Sequence, residues 1–131
     1  MSHFTTIKTQ FVSREHLKQA LEDVGEEFGL GAVQYDAVVN GYGGGTMSAE
    51  LVVSTRNRGY DIGFRKEGET YGLVADWWGI KDIKQEQLKS RLSQRYAYHA
   101  VKDRLDRQGF ATVEEEVKQD QTIHLTLRRA L

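Results

Sequence analysis

Apolar and polar positions change period several times along the chain, and each change predicts an element. Thr5, Ile7, Thr9 and Phe11 alternate with Phe4, Thr6, Lys8 and Gln10, a period of two rich in β-branched and aromatic residues, which predicts a strand. Leu17, Ala20, Leu21 and Val24 then stand at i, i+3, i+4 and i+7, the single stripe of a short amphipathic helix, with Ser13 as N-cap and Gly25 as the stop. Val33, Tyr35, Ala37 and Val39 alternate with Gln34, Asp36 and Asn40 in a second strand that runs into Gly41-Tyr42-Gly43-Gly44-Gly45. Strand-like runs around 49–55, 60–65 and 70–77 follow, separated by Arg56-Asn57-Arg58-Gly59 and Lys66-Glu67-Gly68-Glu69, so a β-meander is expected.

Asp82, with Gln85 three residues on, predicts the start of a long helix that Gly109 closes. Leu88, Leu92, Tyr96 and Ala100 run along one side of it and Ala97, Val101 and Leu105 along another, a wide apolar face suited to lying across a sheet. Val113-Glu115-Val117 and Ile123-Leu125-Leu127 flank Gln119-Asp120-Gln121 as a C-terminal hairpin. The order β-α-β-β-β-β-α-β-β, with hairpin connections dominating, predicts an α+β fold: a mainly antiparallel sheet with two helices packed on one face. The other face of the sheet reads as polar enough to bind a ligand.

Composition narrows the class of function. The 131 residues fit one domain spanning 1–131, and 39% apolar residues with 5 Phe, 6 Tyr and 2 Trp support a real core rather than a disordered chain. Apolar runs such as Leu73-Val74-Ala75 fall far short of the roughly 18–20 residues of a membrane span, and residues 1–6 lack a secretory pattern, so a cytoplasmic protein without membrane contact is expected. The absence of cysteine excludes disulfides, thiolate metal or Fe–S ligation and a thiol nucleophile, and no cofactor is called for. With 18 Lys+Arg against 19 Asp+Glu the net charge is −1, so any attraction for nucleic acid or an acidic partner has to be local.

Local charge is concentrated on the long helix. Residues 84–107 hold seven Lys or Arg and three acids, and Lys84, Arg91, Arg95, Tyr98 and Lys102 fall within a wedge of about 40–60° on a regular helix. Such a stripe suits an acidic protein or RNA phosphates, against the plainer reading of a solvated face. Asp76-Trp77-Trp78-Gly79 ends the meander, and one indole is expected in the core with the other outward, covered by the next segment or serving as an aromatic anchor. The loop at Gly43, Gly44 and Gly45 lacks a following Lys-Ser/Thr and a helix, so it reads as a hairpin tip, with a contact loop as the alternative. His99 has Asp103 at i+4, a carboxylate that would orient the ring of a buried or catalytic histidine. His3, His16 and His124 lie on separate elements, so no metal site is expected. Glu114-Glu115-Glu116 gives the hairpin a charged edge, while an exposed sheet edge elsewhere leaves a homo-oligomer open.

Met1-Ser2-His3-Phe4-Thr5-Thr6-Ile7-Lys8-Thr9, Tyr60-Asp61-Ile62-Gly63-Phe64, Tyr71-Gly72-Leu73-Val74-Ala75-Asp76-Trp77-Trp78 and Gln94-Arg95-Tyr96-Ala97-Tyr98 together resemble the hypothetical chloroplast reading frame thirty-five family of cyanobacteria and plastids, a domain of unknown function. The resemblance covers essentially the whole chain and brings no catalytic or binding residues with it. It implies a partner or adaptor role beside small ferredoxins or an ATPase of the AAA class, in the cytoplasm or the plastid stroma. The expectation from residues and resemblance together is a non-enzymatic interaction module that meets an acidic protein through Arg91, Arg95, Tyr98, Lys102 and Trp78. The rivals are an RNA-binding module on the same stripe, with aromatics of the open sheet face as stacking platforms, and an enzyme using His99 with Asp103 near the glycine loop.

Overall fold

A computed structural model describes residues 3–120 and 122–129, the side chain of Val113 excepted. Met1, Ser2 and Gln121, used above in the N-terminal pattern and the hairpin turn, lie outside the described residues. The elements are β1 (Thr5–Lys8), α1 (Arg14–Phe28), β2 (Gln34–Asn40), β3 (Thr46–Ser54), β4 (Asp61–Glu67), β5 (Thr70–Ala75), α2 (Gln85–Arg107), β6 (Phe110–Val117) and β7 (Ile123–Arg129). The fold is α+β in the expected element order. Five strands form one antiparallel sheet in the order β1-β5-β4-β3-β2, and β6 and β7 stand apart as a two-stranded sheet.

Alternation along the meander sorts the core. Leu51 and Val53, Ile62 and Phe64, and Tyr71, Leu73 and Ala75 face α1 and α2, where they bury against Leu17, Ala20, Leu21, Val24, Phe28, Leu88 and Leu92. The opposite face is not the open polar platform expected from sequence. Val39, Ala49 and Val52 are buried there, with Phe4 and Ala37 packed on them. Ala49 and Leu51, two residues apart, lie in different clusters, so the alternation breaks at Glu50, between the Tyr35–Leu51 and Ala37–Ala49 pairs, where Asp36 adopts φ 50°. The end of β2 then crosses β4 closely: a Cβ added at Gly63 would stand 2.3 Å from Val39 Cγ2, so only glycine admits that approach.

Both helices begin or end away from the predicted signals. Ser13 does cap α1, its hydroxyl accepting from His16 N–H at 3.1 Å. The helix, however, runs through Gly25 to Phe28 and ends on Gly29 in the left-handed region, φ 65°. One internal glycine costs about 1 kcal/mol, and Phe28, one turn beyond Val24 and 5% exposed, extends the buried stripe past it. Asp82 does not open α2. Its carboxylate is taken by Asn57 Nδ2 at 2.6 Å and Arg56 at 3.5 Å, and the helix starts after Lys84 without a side-chain cap. The wide apolar face of α2 is buried only at Leu88 and Leu92, whereas Val101 is 44% exposed. Past Tyr96 the helix stays tied to α1 through His99 with Asp23 and Asp103 with His16, and Ala97 and Val101 line one gap with Ile123 and Leu125 of the hairpin.

Candidate functional site

Arg91, Arg95, Tyr98 and Lys102 lie together along α2, and each meets a group of its own chain. Arg91 Nε donates to Glu27 Oε1 at 3.0 Å, and another of its N–H groups bonds Gln94. Arg95 Nε donates to Asp23 Oδ2 at 2.8 Å while its guanidinium lies 4.4 Å over the Tyr98 ring. Lys102 Nζ donates to the Tyr98 oxygen at 3.1 Å, and the Tyr98 hydroxyl donates to Glu115 Oε2 of β6 at 3.1 Å. The bond to Tyr98 raises the Lys102 ammonium above its ordinary value against the effect of burial, with Tyr98, Glu115 and Asp106 adding. Lys84, grouped with this stripe on sequence, stands outside the helix as its N-cap. Across the helix pair, α1 carries five acids and two bases, and α2 carries six bases and three acids. The charge concentrated on α2 is thus matched by α1, and the stripe ties α1, α2 and β6 together.

His99 takes its carboxylate from the other helix. Its Nε2 lies 2.6 Å from Asp23 Oδ2, whereas Asp103 pairs with His16 at 3.5 Å and Arg107 at 3.1 Å. The expected His99–Asp103 pair gives way to this arrangement because α1 lies close enough to supply Asp23. His99, His16 and Lys102 line a polar groove of about 510 Å³, so His99 does sit on a concave wall. Ser13, the hydroxyl in that groove, is committed to capping α1, and the glycine loop is attached elsewhere. Among the described residues no three His, Asp or Glu side chains converge as metal ligands.

Asp23 therefore serves two cations. Burial raises the pKa of its carboxyl, but hydrogen bonds and attraction from Arg95 and His99 outweigh it and hold the group below its ordinary 3.8. A carboxyl depressed in the folded state stabilises fully above its unfolded pKa and loses that contribution as pH falls through the folded value. Asp23→Asn is expected to cost about 1–2 kcal/mol at neutral pH and to flatten the loss of stability in acid. Urea midpoints of the two proteins at neutral pH and near pH 3 check this; parallel acid losses would contradict it.

A second cluster forms where the strands end. Asp76, fully buried, accepts from His3 N–H at 3.2 Å and Tyr42 N–H at 3.0 Å through one oxygen, Oδ2. It thereby joins the segment before β1 to the β2–β3 tip. Trp77 and Trp78 leave the strand in a 3-10 turn, with Trp77 packed on the core and Trp78 56% exposed. The Trp78 ring has Tyr42 edge-on at 5.1 Å, His3 at 6.2 Å and the Lys81 ammonium 5.1 Å over its face. Tyr60 lies behind, its ring filling the space a side chain at Gly79 would need, and burial, then Asp76 and Tyr42, push its phenol up. Gly43 and Gly44 turn at φ 66° and 79°, and Gly45 N–H closes the tip on Tyr42 O at 3.1 Å, so the loop is a bonded hairpin tip that presents Tyr42.

Of the two adjacent indoles, one of which the sequence places outward, Trp78 is the exposed one, while the sequence pattern does not single out Asp23, Asp76, His3, Tyr42 or Tyr96. The Tyr96 hydroxyl accepts from Val12 N–H at 2.9 Å and Ser13 N–H at 2.8 Å, with its ring 4.7 Å from Phe11. An acid directly before two tryptophans at a strand end was the one local signal for Asp76; the others lie far along the chain from their partners.

A protein-family profile described as "Protein of unknown function (DUF1257)" matches residues 20–126. The chain is similar to the uncharacterized protein ycf35 of Guillardia theta, 37% identical over 98% of both chains. It is also similar to the ycf35 proteins of Cyanophora paradoxa, 33% identical over 98% of both, and Pyropia yezoensis, 29% identical over 98% of both. No solved structure matches it. Among the described residues no helix is long and apolar enough to cross a membrane.

Proposed function

We propose, for a chain that belongs to the DUF1257 family of proteins of unknown function, the role of a non-enzymatic protein-interaction module acting in the cytoplasm or plastid stroma. The observation that carries this reading is Trp78, a large aromatic side chain more than half exposed and yet held in place by Tyr42, His3 and a buried carboxyl group. Exposed tryptophan and tyrosine on a rigid support are the residues that dominate binding energy at interfaces. The Lys81 ammonium over the ring adds a positive charge to the patch, which suits an acidic partner. Arg91, Arg95, Tyr98 and Lys102 belong to the proposed surface in a second capacity: a partner reaching them has to compete with Glu27, Asp23 and Glu115.

Affinity capture from host lysate after nuclease treatment tests the reading, with wild type beside Trp78→Ala, Lys81→Glu and the Arg91→Glu/Arg95→Glu pair. One protein is expected to be retained by wild type and lost at least tenfold with Trp78→Ala, a change at an exposed site that leaves stability within about 0.5–1 kcal/mol. Retention by Trp78→Ala equal to wild type, or enrichment of RNA alone before nuclease, overturns it.

A further inference from the structure

The C-terminal hairpin is poorly supported by its own chain. A lone two-stranded sheet is marginal in water, and none of the described side chains from Phe110 to Arg129 is fully buried. Ile123, Leu125 and Leu127 share one face of β7 and are only half-buried, and an apolar gap of about 280 Å³ separates Ile123 and Leu125 from Ala97 and Val101 of α2. Among the described residues β7 has no strand on its outer side. The hairpin thus combines an unfilled apolar face with an open edge.

We propose that this edge is occupied by β7 of a second copy of the chain, so that two hairpins form one four-stranded sheet, β6-β7-β7-β6, about a twofold axis at Thr126. The inference stands apart from the proposed function, because it uses neither Trp78 nor the acidic partner. Three observations select this occupant. First, Lys118 N–H donates to Thr122 O at 2.8 Å, and Val117 pairs with Ile123 in the same register. Alternation of the antiparallel ladder then turns the backbone of His124 and Thr126 toward β6 and that of Ile123, Leu125 and Leu127 outward. Second, an antiparallel copy centred on Thr126 sets Leu125 opposite Leu127 of the other copy and Ile123 opposite Arg129, both as hydrogen-bonded pairs. Every residue of β7 finds a partner, and the period of two keeps both leucines on the apolar face, which becomes continuous across the axis. Third, charge separates the two edges. β6 carries Glu114, Glu115 and Glu116, which would face the same acids in a copy, whereas β7 carries no acid. The approach of Arg128 of one copy to His124 of the other is offset by Glu116, which pairs with His124 across the ladder.

Thr126 is the diagnostic position, because it meets itself on the axis as a non-hydrogen-bonded pair, with Cα atoms about 4.5 Å apart, within the span a disulfide bridges. In the full chain, which has no cysteine of its own, Thr126→Cys is expected to convert to a covalent dimer on mild oxidation, at least tenfold faster than Arg128→Cys, whose side chains do not face each other. Wild type is expected to sediment at twice 14.9 kDa at high micromolar concentration. Thr126→Lys is expected to sediment as a monomer while keeping its fold, since the lysine faces Glu114 within the hairpin and another lysine only across the axis. A monomeric wild type, or equal cross-linking at 126 and 128, overturns the proposal. If Thr126→Lys fails to fold, the ratio of the two cysteine variants decides alone.

Discussion

Asp76→Ala is expected to lose about 2–4 kcal/mol of stability, a fall of order 10 °C in Tm for a chain of this size. One oxygen of this buried side chain accepts both His3 N–H and Tyr42 N–H, so truncation strands two backbone donors and leaves a small void. Asp76→Asn is expected to cost about 1 kcal/mol or less: its amide keeps an oxygen for the two donors, and its nitrogen replaces Oδ1, which has no hydrogen-bond partner among the described residues. The consequence reaches the surface. Without the staple, Tyr42 and His3 no longer fix the Trp78 ring, so Asp76→Ala also weakens partner capture, whereas Trp78→Ala weakens capture alone. Thermal melts of the three variants check the order; an Asp76→Ala protein as stable as Trp78→Ala would contradict the staple.

Leu88→Ala is expected to cost about 2–5 kcal/mol, and Val101→Ala under about 0.5 kcal/mol. Leu88 of α2 is fully buried, whereas Val101, further along the same helix, is 44% exposed. A helix lying across the sheet along its whole length would make both substitutions costly. Equal losses in urea denaturation would therefore contradict the observed packing, and a small loss at Leu88 would place the core elsewhere.

The parts of the fold that the sequence made legible are those governed by neighbours within a few residues. Period-two alternation and glycine-bearing turns were enough for the meander, and Ser13 before a clean i, i+3, i+4, i+7 stripe was enough to start α1. Local signals misled where a distant residue decided. Gly25 reads as a stop until Phe28 is seen to bury. Asp82 reads as a cap until Asn57 and Arg56, about 25 positions earlier, claim its carboxylate. The basic stripe of α2 is plain in the sequence, but the acids that answer it, Asp23 and Glu27, lie more than 60 positions away on a helix whose docking angle no periodicity encodes. His99 shows the same effect: the carboxylate at i+4 was visible, and the nearer one came from α1. That one of two adjacent indoles faces outward was legible, because a strand end cannot send both into one core; that it is Trp78, with Trp77 packed on the core, was not. The support beneath it, Asp76 with His3 and Tyr42, joins three separate elements and left no spacing to read.

In the proposed role, Trp78 and the residues around it meet another protein in the cell. Photo-cross-linking in living host cells tests it most directly, with a photoreactive side chain placed at Lys81 in one strain and at Lys102 in another. A single protein adduct is expected from position 81, reduced when Trp78→Ala is added, with at most a weaker adduct to the same protein from position 102. Adducts to RNA, or a protein adduct from position 102 with none from position 81, would contradict it.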